Sequence, residues 1–251
     1  MKKNFFKMKK KKIYFIESST NFNNNDLSSF KIGGSEKTLI NITNALAKNE
    51  NFEIKVFNKT QNEIFSNNVH WLNINKICQH KDIDHLIAMS DANLLSIIHA
   101  KKKYLWSHSV QSIEKFLRKK QFFAFLKNKP LMILEGHYHS KNRSFLTSFF
   151  GKKVLRIAPD NDFINTQINF KKLPSNKAIF TTRSDRNLLF LLDCWKQIHI
   201  GSPNSELHIN PPYNLNNEEN KLNIRIRIKS DKALLIKELS ESRVMLNPGH
   251  K

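Results

Sequence analysis

The chain has 251 residues, of which 39% are hydrophobic, and no apolar run approaches the ~20 residues that a membrane-spanning helix needs. Its mean hydropathy of −0.51 is typical of a soluble globular protein, long enough for one large α/β domain or two smaller ones. The net charge of +21, from 42 Lys and Arg against 21 Asp and Glu, fits either a biased composition or an anionic partner.

Residues 1–12 form a basic tail, after which strands and helices alternate. The apolar stretch Ile13–Ile16 is too short for a signal peptide and predicts the first buried strand. Further strands are predicted at 53–57, 69–72, 85–89, 103–108, 130–134 and 154–158. The predicted helices cover 35–48, 92–99, 113–126 and a segment that ends at 150. This α/β alternation predicts a parallel sheet with helices on both faces, in a first domain over residues 13–170.

A second, shorter series follows a polar linker at residues 160–176 and defines a second domain over residues 175–251. Its helices are predicted to be capped by Asp185 and Asp231. Its strands are predicted at 178–182, 206–209, 223–228 and 244–246. This is about half of a doubly wound unit, which predicts a fragment, a truncated gene product or a domain completed by another chain.

The net charge alone does not identify an anionic partner. Lysines are spread along the chain, and Asn, Ile and Phe are also abundant, so composition bias and attraction to an acidic membrane surface stay open together. Nucleic-acid binding ranks third, because no recognition motif accompanies the charge.

Cys78 and Cys194 lie far apart and lack the spacing of metal ligands, which predicts two free thiols. Free thiols suit a reducing compartment, so we expect a cytoplasmic protein. The basic tail could hold such a protein peripherally at the inner membrane surface.

Two of the six glycines, Gly33 and Gly34, stand between the first strand and a strong helix. Glycines at this place allow close approach of a ligand to the backbone, and a helix N-terminus offers free N–H groups to an anion. The pair matches neither the G-x-G-x-x-G fingerprint nor a P-loop, so a simple tight turn stays the alternative.

Arg183 and Arg186 lie at the end of a strand and around a helix start. Two guanidinium groups at the carboxyl edge of a parallel sheet are placed to grip a diphosphate. Arginine is scarce here relative to lysine, which makes the pair harder to attribute to composition. A solvated turn is the alternative interpretation.

His108 ends a predicted strand, where it could orient a hydroxyl or stabilise developing charge, although a structural histidine is an equal alternative. Glu135, after the next strand, is a weaker candidate for the same cleft. The His137–His139 segment lacks a recognisable third ligand, so no metal site is predicted.

Three stretches, taken in order, resemble the group 1 (family 4) glycosyltransferases, which have the GT-B fold of two Rossmann-like domains. They are IGGSEKTLINITNALAKNENFEIKVFN, FTTRSDRNLLFLLDCWKQI and NIRIRIKSDKALLIKELSESRVMLNPGHK. They resemble, respectively, the family's glycine-loop opening, the start of its second domain and the strand–helix–strand before the donor site. The order and spacing of the three stretches are more specific than any one of them.

The resemblance implies transfer of a sugar, with retention, from a nucleoside diphosphate donor to a glycan or lipid-linked acceptor in surface polysaccharide or glycolipid synthesis. It implies no cofactor and no essential metal. Arg183 and Arg186 match the family's basic pair, which neutralises the leaving diphosphate. Gly33 and Gly34 would line the cleft between the domains, and His108 falls near the family's cleft histidine.

Two positions depart from the family's pattern. Thr182 stands where the family has a glycine, and the acidic E-x7-E element that should follow Lys251 is absent from the chain. The sequence therefore leaves two rivals: a non-catalytic remnant or binding module of the same fold, and a basic nucleic-acid-binding protein.

Overall fold

The computed structural model describes residues 9–28, 32–110, 112–157, 164–165, 174–210, 213–227 and 232–249. The chain divides into two compact units, Met1–Ala158 and Pro159–Lys251. Asp231, the predicted helix cap, and most of the predicted linker lie outside the described residues.

The first unit contains an eight-stranded sheet with the order β3-β4-β2-β1-β5-β6-β7-β8. All neighbouring strands pair in parallel except β3, which pairs antiparallel with β4. The large parallel sheet confirms the predicted α/β class. The strands are β1 Lys11–Ile16, β2 Phe52–Asn58, β3 Ile64–Ser66, β4 Val69–Asn73, β5 Ile83–Met89, β6 Ala100–Ser107, β7 Leu131–Leu134 and β8 Lys152–Val154.

Strand β3 was not predicted. It is short, and a two-residue turn joins it to β4. Asn67 and Asn68 both adopt left-handed φ values, 53° and 60°, which is the geometry of a tight hairpin turn and one that Asn tolerates.

The helices of the first unit are shorter than predicted. The expected helix at 113–126 is two helices, because Lys120 takes a left-handed φ of 53° and interrupts it. The expected helix at 92–99 is a 3-10 helix over Ala92–Ser96, and the segment ending at 150 contains one over Phe145–Ser148. The α-helices are α1 Gly34–Leu46, α2 Ile113–Arg118, α3 Phe122–Asn128 and α4 His137–Asn142.

Both faces of the first sheet are buried, as the apolar run in β1 requires. Tyr14 and Ile16 point into one hydrophobic cluster, and Phe15 lies in the other, on the opposite face. All three side chains are at most 3% exposed. Alternate residues of a strand face opposite sides, so an unbroken apolar run marks a strand covered on both faces.

The second unit contains a four-stranded parallel sheet with the order β11-β10-β9-β12. Its strands are β9 Ser175–Phe180, β10 Glu206–Ile209, β11 Ile224–Ile226 and β12 Ser242–Met245. Its helices are α5 Leu188–Gly201 and α6 Lys232–Glu241.

The predicted cap of α5 was wrong. The helix begins at Leu188 after Asn187, which takes a left-handed φ of 60° and makes no side-chain cap. Asp185 instead accepts a hydrogen bond from the Arg183 guanidinium at 2.9 Å. Because Asn187 takes the N-cap position, Asp185 lies two residues too early in the chain to cap the helix.

Trp195 anchors α5 on the second sheet. It is 2% exposed and belongs to the unit's hydrophobic cluster. Its indole Nε1 donates a hydrogen bond to the Leu222 carbonyl oxygen at 2.9 Å, so one side chain both fills the core and satisfies the loop before β11.

We expect Trp195→Ala to lower the free energy of unfolding by ~3–5 kcal/mol, because it leaves a large cavity and an unpaired carbonyl. Urea denaturation followed by circular dichroism measures the change. Ile200→Ala, at a position on α5 that is 73% exposed, is the matched control and should stay within ~0.5 kcal/mol of the parent. Equal losses in the two variants would contradict this packing.

Candidate functional site

The topology of the first sheet creates a switch point beside β1. The chain leaves β1 toward β2 and β4 on one side, and occupies β5, β6, β7 and β8 on the other. Connections on the two sides diverge there and leave a crevice outside the carboxyl ends of the strands. In open α/β sheets this crevice is where ligands bind.

Polar residues follow four neighbouring strands at that edge. Glu17 comes directly after β1, Ser90 after β5, His108 after β6 and Glu135 after β7. A pocket of about 120 Å³ opens among three of them. It is lined by Glu17, Ser19, Phe22, Ser35, Glu36, Leu39, Met89, Ser90 and His108. We call it the switch-point pocket.

The structure brings His108 and Glu135 together. Nδ1 of His108 contacts Oε1 of Glu135, and the two side chains are only 16% and 17% exposed. A carboxylate that accepts a hydrogen bond from Nδ1 would keep the proton on that nitrogen and leave Nε2 as the acceptor, whereas Oε1 of Glu135 is here a buried oxygen without a regular hydrogen bond among the described residues. His108 and Glu135, which the sequence analysis named as separate candidates, therefore form a contacting pair.

The other ring nitrogen of His108 is unsatisfied. Within the described part of the chain, Nε2 is buried and has no hydrogen-bond partner. The ring also packs on Trp106, with 5.1 Å between the ring centroids. An imidazole held by a carboxylate on one side and an aromatic ring on its face, with a free acceptor nitrogen, is prepared to receive a proton from a ligand.

Glu17 was missed by the sequence analysis. It is 8% exposed, and its carboxylate accepts hydrogen bonds from the backbone N–H of Ser19 at 2.6 Å and of Thr20 at 3.0 Å. The Thr20 hydroxyl lies 3.3 Å from Oε1 of Glu36, which links the loop after β1 to the first turn of α1. The available signal was position: Glu17 is the first polar residue after an apolar strand.

The glycine pair lies at the start of α1. Gly33 is the N-cap and provides no side-chain cap, and a Cβ at Gly34 would meet no atom within 4 Å. A Cβ at Gly33 would instead lie 2.8 Å from Oε2 of Glu36, so the Glu36 carboxylate covers the first turn of α1. Glu36 and Glu17 also place two carboxylates in the same pocket, which disfavours an anion there and suits hydrogen-bond donors such as hydroxyl groups.

Arg183 and Arg186 belong to the second unit, and His108 belongs to the first. They follow the carboxyl end of β9, which lies between β10 and β12. The Arg183 side chain is 72% exposed and pairs with Asp185. Nε of Arg186 is buried and lacks a hydrogen-bond partner among the described residues.

The second unit also buries a group of charges that the sequence analysis did not identify. Lys177, His208 and Glu238 are each at most 8% exposed. Nζ of Lys177 lies 3.3 Å from the Glu241 carboxylate, and Nε2 of His208 lies 2.9 Å from Glu206. Burial lowers the pKa of His208, while its hydrogen bond to Glu206 acts in the opposite direction. The Lys177 ammonium also lies 3.8 Å from the Glu238 carboxylate, and its two contacts with Glu238 and Glu241 tie α6 to β9.

No metal centre is found among the described residues, where no three His, Cys, Asp or Glu side chains converge. In the His137–His139 segment, which begins α4, Nε2 of His137 lies 2.8 Å from the Arg156 guanidinium. Cys78 and Cys194 are both free thiols, as predicted. Among the described helices, none has the length and apolar character needed to cross a membrane.

No protein-family model matches the chain, and the search of curated protein sequences gave no match. Its fold is similar to that of an O-GlcNAc transferase from Thermobaculum terrenum, solved as a mutant, with a TM-score of 0.52 and 9% sequence identity. The match covers 94% of this chain and 48% of that chain, so this chain spans about half the length of its neighbour. The likeness shows the fold: the chain has a GT-B-like, Rossmann-like α/β fold.

We expect Gly34→Ala to leave the free energy of unfolding unchanged or to raise it by up to ~1 kcal/mol, because the added Cβ enters open space and alanine favours the helix. A ligand that approaches the backbone at this loop would lose contact. If a nucleotide sugar binds at this loop, calorimetric titration should show that its binding is weaker in Gly34→Ala than in the parent.

Gly201→Ala is the matched control for this variant. Its added Cβ also meets no atom within 4 Å, and it lies at the other end of a different helix, α5. Unchanged nucleotide-sugar binding in Gly34→Ala would assign the glycine pair to a simple turn.

Proposed function

We propose that this chain is a glycosyltransferase that moves a sugar from a nucleoside diphosphate sugar to a hydroxyl of a glycan or lipid-linked acceptor. The observation that carries the proposal is the His108–Glu135 pair at the switch-point pocket, in a GT-B-like fold. The pocket offers a proton acceptor surrounded by hydroxyl and carboxylate groups, which suits a sugar alcohol as the group to be activated.

The chemistry follows from the free Nε2. The acceptor hydroxyl gives its proton to Nε2 of His108 while its oxygen bonds to the anomeric carbon of the donor sugar. The bond between that carbon and the diphosphate breaks, and its electron pair leaves on the nucleoside diphosphate. Glu135 stabilises the imidazolium that forms, because its carboxylate already faces Nδ1.

The donor diphosphate is assigned to Arg183 and Arg186. Charge builds on the diphosphate as the glycosidic bond breaks, and guanidinium groups stabilise that charge. Nε of Arg186 supports this assignment, since it is a buried donor without a partner among the described residues. The proposal needs no cofactor and no metal, and it retains the role in surface polysaccharide synthesis that the group 1 resemblance implies.

Two arguments predict opposite stereochemical outcomes at the anomeric carbon. Resemblance to group 1 glycosyltransferases implies retention. A single displacement assisted by His108 as base would invert the anomeric centre instead. Proton NMR of the first product anomer formed distinguishes the two outcomes.

We expect His108→Ala to lower transfer or slow donor hydrolysis by ~10²–10⁴-fold, the usual contribution of a general base. The assay is release of nucleoside diphosphate from a panel of nucleotide sugars. Glu135→Gln should lower the rate by a smaller factor. His108 remains in this variant, although its orientation and its charge balance are weakened.

His99→Ala is the control, since His99 is an exposed histidine of the same unit. Full activity in His108→Ala would overturn the proposed base. Saturable nucleotide-sugar binding without turnover by the parent would identify a binding module of the same fold.

We expect the double variant Arg183→Ala with Arg186→Ala to weaken binding of nucleoside diphosphates by at least ~100-fold, because each charged hydrogen bond is worth ~1.5–3 kcal/mol. Calorimetric titration of the full chain with uridine, guanosine and adenosine diphosphates measures this.

The double variant Arg225→Ala with Arg243→Ala removes the same charge from the same unit and should bind like the parent. Equal weakening in both double variants would mean that net charge, and not the Arg183 and Arg186 site, holds the diphosphate. Steeply salt-dependent binding of oligonucleotides in place of nucleotides would instead favour the nucleic-acid rival.

A further inference from the structure

A second pocket lies in the first unit, away from the residues of the switch-point pocket. It has a volume of about 230 Å³ and is built largely from α2, α3 and the 3-10 helix at Phe145–Ser148. We call it the apolar pocket. Its walls include the side chains of Phe116, Phe122, Phe125, Leu126, Phe149 and Phe150.

The apolar pocket offers a ligand no free polar side chain. Thr147 is its one lining residue with a polar side-chain atom, and the Thr147 hydroxyl donates to the Ser144 carbonyl oxygen at 2.7 Å. Polar ligands need such groups for orientation, so a ligand portion that enters this pocket is hydrocarbon.

The pocket is surrounded by apolar side chains that face water. Leu126, Leu146 and Phe149 line it and are 42%, 49% and 67% exposed. Phe123 is 82% exposed and packs against Phe122, with 6.0 Å between the ring centroids. Exposed apolar groups that cluster in this way mark an interaction surface.

The same segment carries a concentrated positive charge. Residues 112–157 contain eleven Lys or Arg and only two acidic residues, Glu114 and Glu135, of which Glu135 faces His108. Arg118, Lys119, Lys127 and Lys129 are exposed on or directly after α2 and α3. Apolar side chains and cations are therefore exposed on the same two helices, α2 and α3.

We infer that this surface docks onto an anionic phospholipid bilayer, with Phe123, Leu146 and Phe149 entering the interface and the lysines and arginines contacting the headgroups. Phenylalanine and leucine beside Lys and Arg are what an interfacial site needs, since hydrocarbon burial and attraction to acidic lipids add together. The surface is distinct from the basic tail at residues 1–12.

A nucleic acid would use the cations but not the pocket. Single-stranded nucleic acids stack bases on exposed aromatic rings. Inside this pocket, however, the polar edges of a base would lose water and find no hydrogen-bond partner, because the pocket walls are hydrocarbon. The bilayer uses both features of the surface, and for that reason it is the better partner.

The test is co-sedimentation of the full chain with vesicles of phosphatidylcholine alone and of phosphatidylcholine mixed with phosphatidylglycerol. We expect binding to the mixed vesicles and little to the neutral ones. Phe123→Ser with Phe149→Ser should weaken binding to mixed vesicles by about tenfold for each phenylalanine, which corresponds to ~1.4 kcal/mol each. Lys119→Ala with Lys127→Ala should also weaken it, and more at low salt.

The matched control is Phe65→Ser, at a phenylalanine that is 62% exposed on β3, and the control for charge is Lys48→Ala with Lys59→Ala. Binding to mixed vesicles that the phenylalanine variants do not reduce would overturn the inference and assign membrane contact to the basic tail. Oligonucleotide binding that the lysine variants weaken and the phenylalanine variants do not would also overturn it. His108→Ala should bind vesicles like the parent, so failure of the proposed catalysis leaves this test intact.

Discussion

Burial of β1 on both faces is the constraint on which the first unit depends. Its apolar residues alternate between two hydrophobic clusters, and β2 and β5 flank it in parallel. A central strand of this kind forces the chain to build outward in two directions, and the divergence of those two directions creates the crevice at its carboxyl end. The switch-point pocket is thus a consequence of the core, and Glu17 is held there by the strand that precedes it.

The same geometry explains how residues that belong to no recognisable motif come together in one site. Parallel strands deliver their next residues to one edge, so Glu17, Ser90, His108 and Glu135 converge although they span more than a hundred positions. Only the residues that directly follow a strand benefit. His137 and His139 come slightly later and begin a helix, and His137 pairs with Arg156.

The sequence predicted what depends on local pattern. Apolar runs located most of the strands, and the glycine pair located the start of α1 to one residue. The prediction of elements failed where single residues take left-handed φ values. Lys120 divides a predicted helix in two, Asn187 moves the start of α5 to a later residue, and Asn67 belongs to a hairpin that was not predicted. His108 and Glu135 were both candidates, but their pairing depends on the neighbouring positions of β6 and β7, which no local pattern contains.

The distribution of charge bears on the two explanations that composition left open. A biased composition would spread positive charge evenly, whereas residues 112–157 have a net charge of +9 out of +21, in fewer than a fifth of the positions. The switch-point pocket, by contrast, holds two carboxylates and no lysine or arginine among its lining residues. The two proposed roles therefore need opposite electrostatics: the acidic pocket matches the proposed sugar hydroxyls, and the cations of α2 and α3 match the proposed acidic membrane interface.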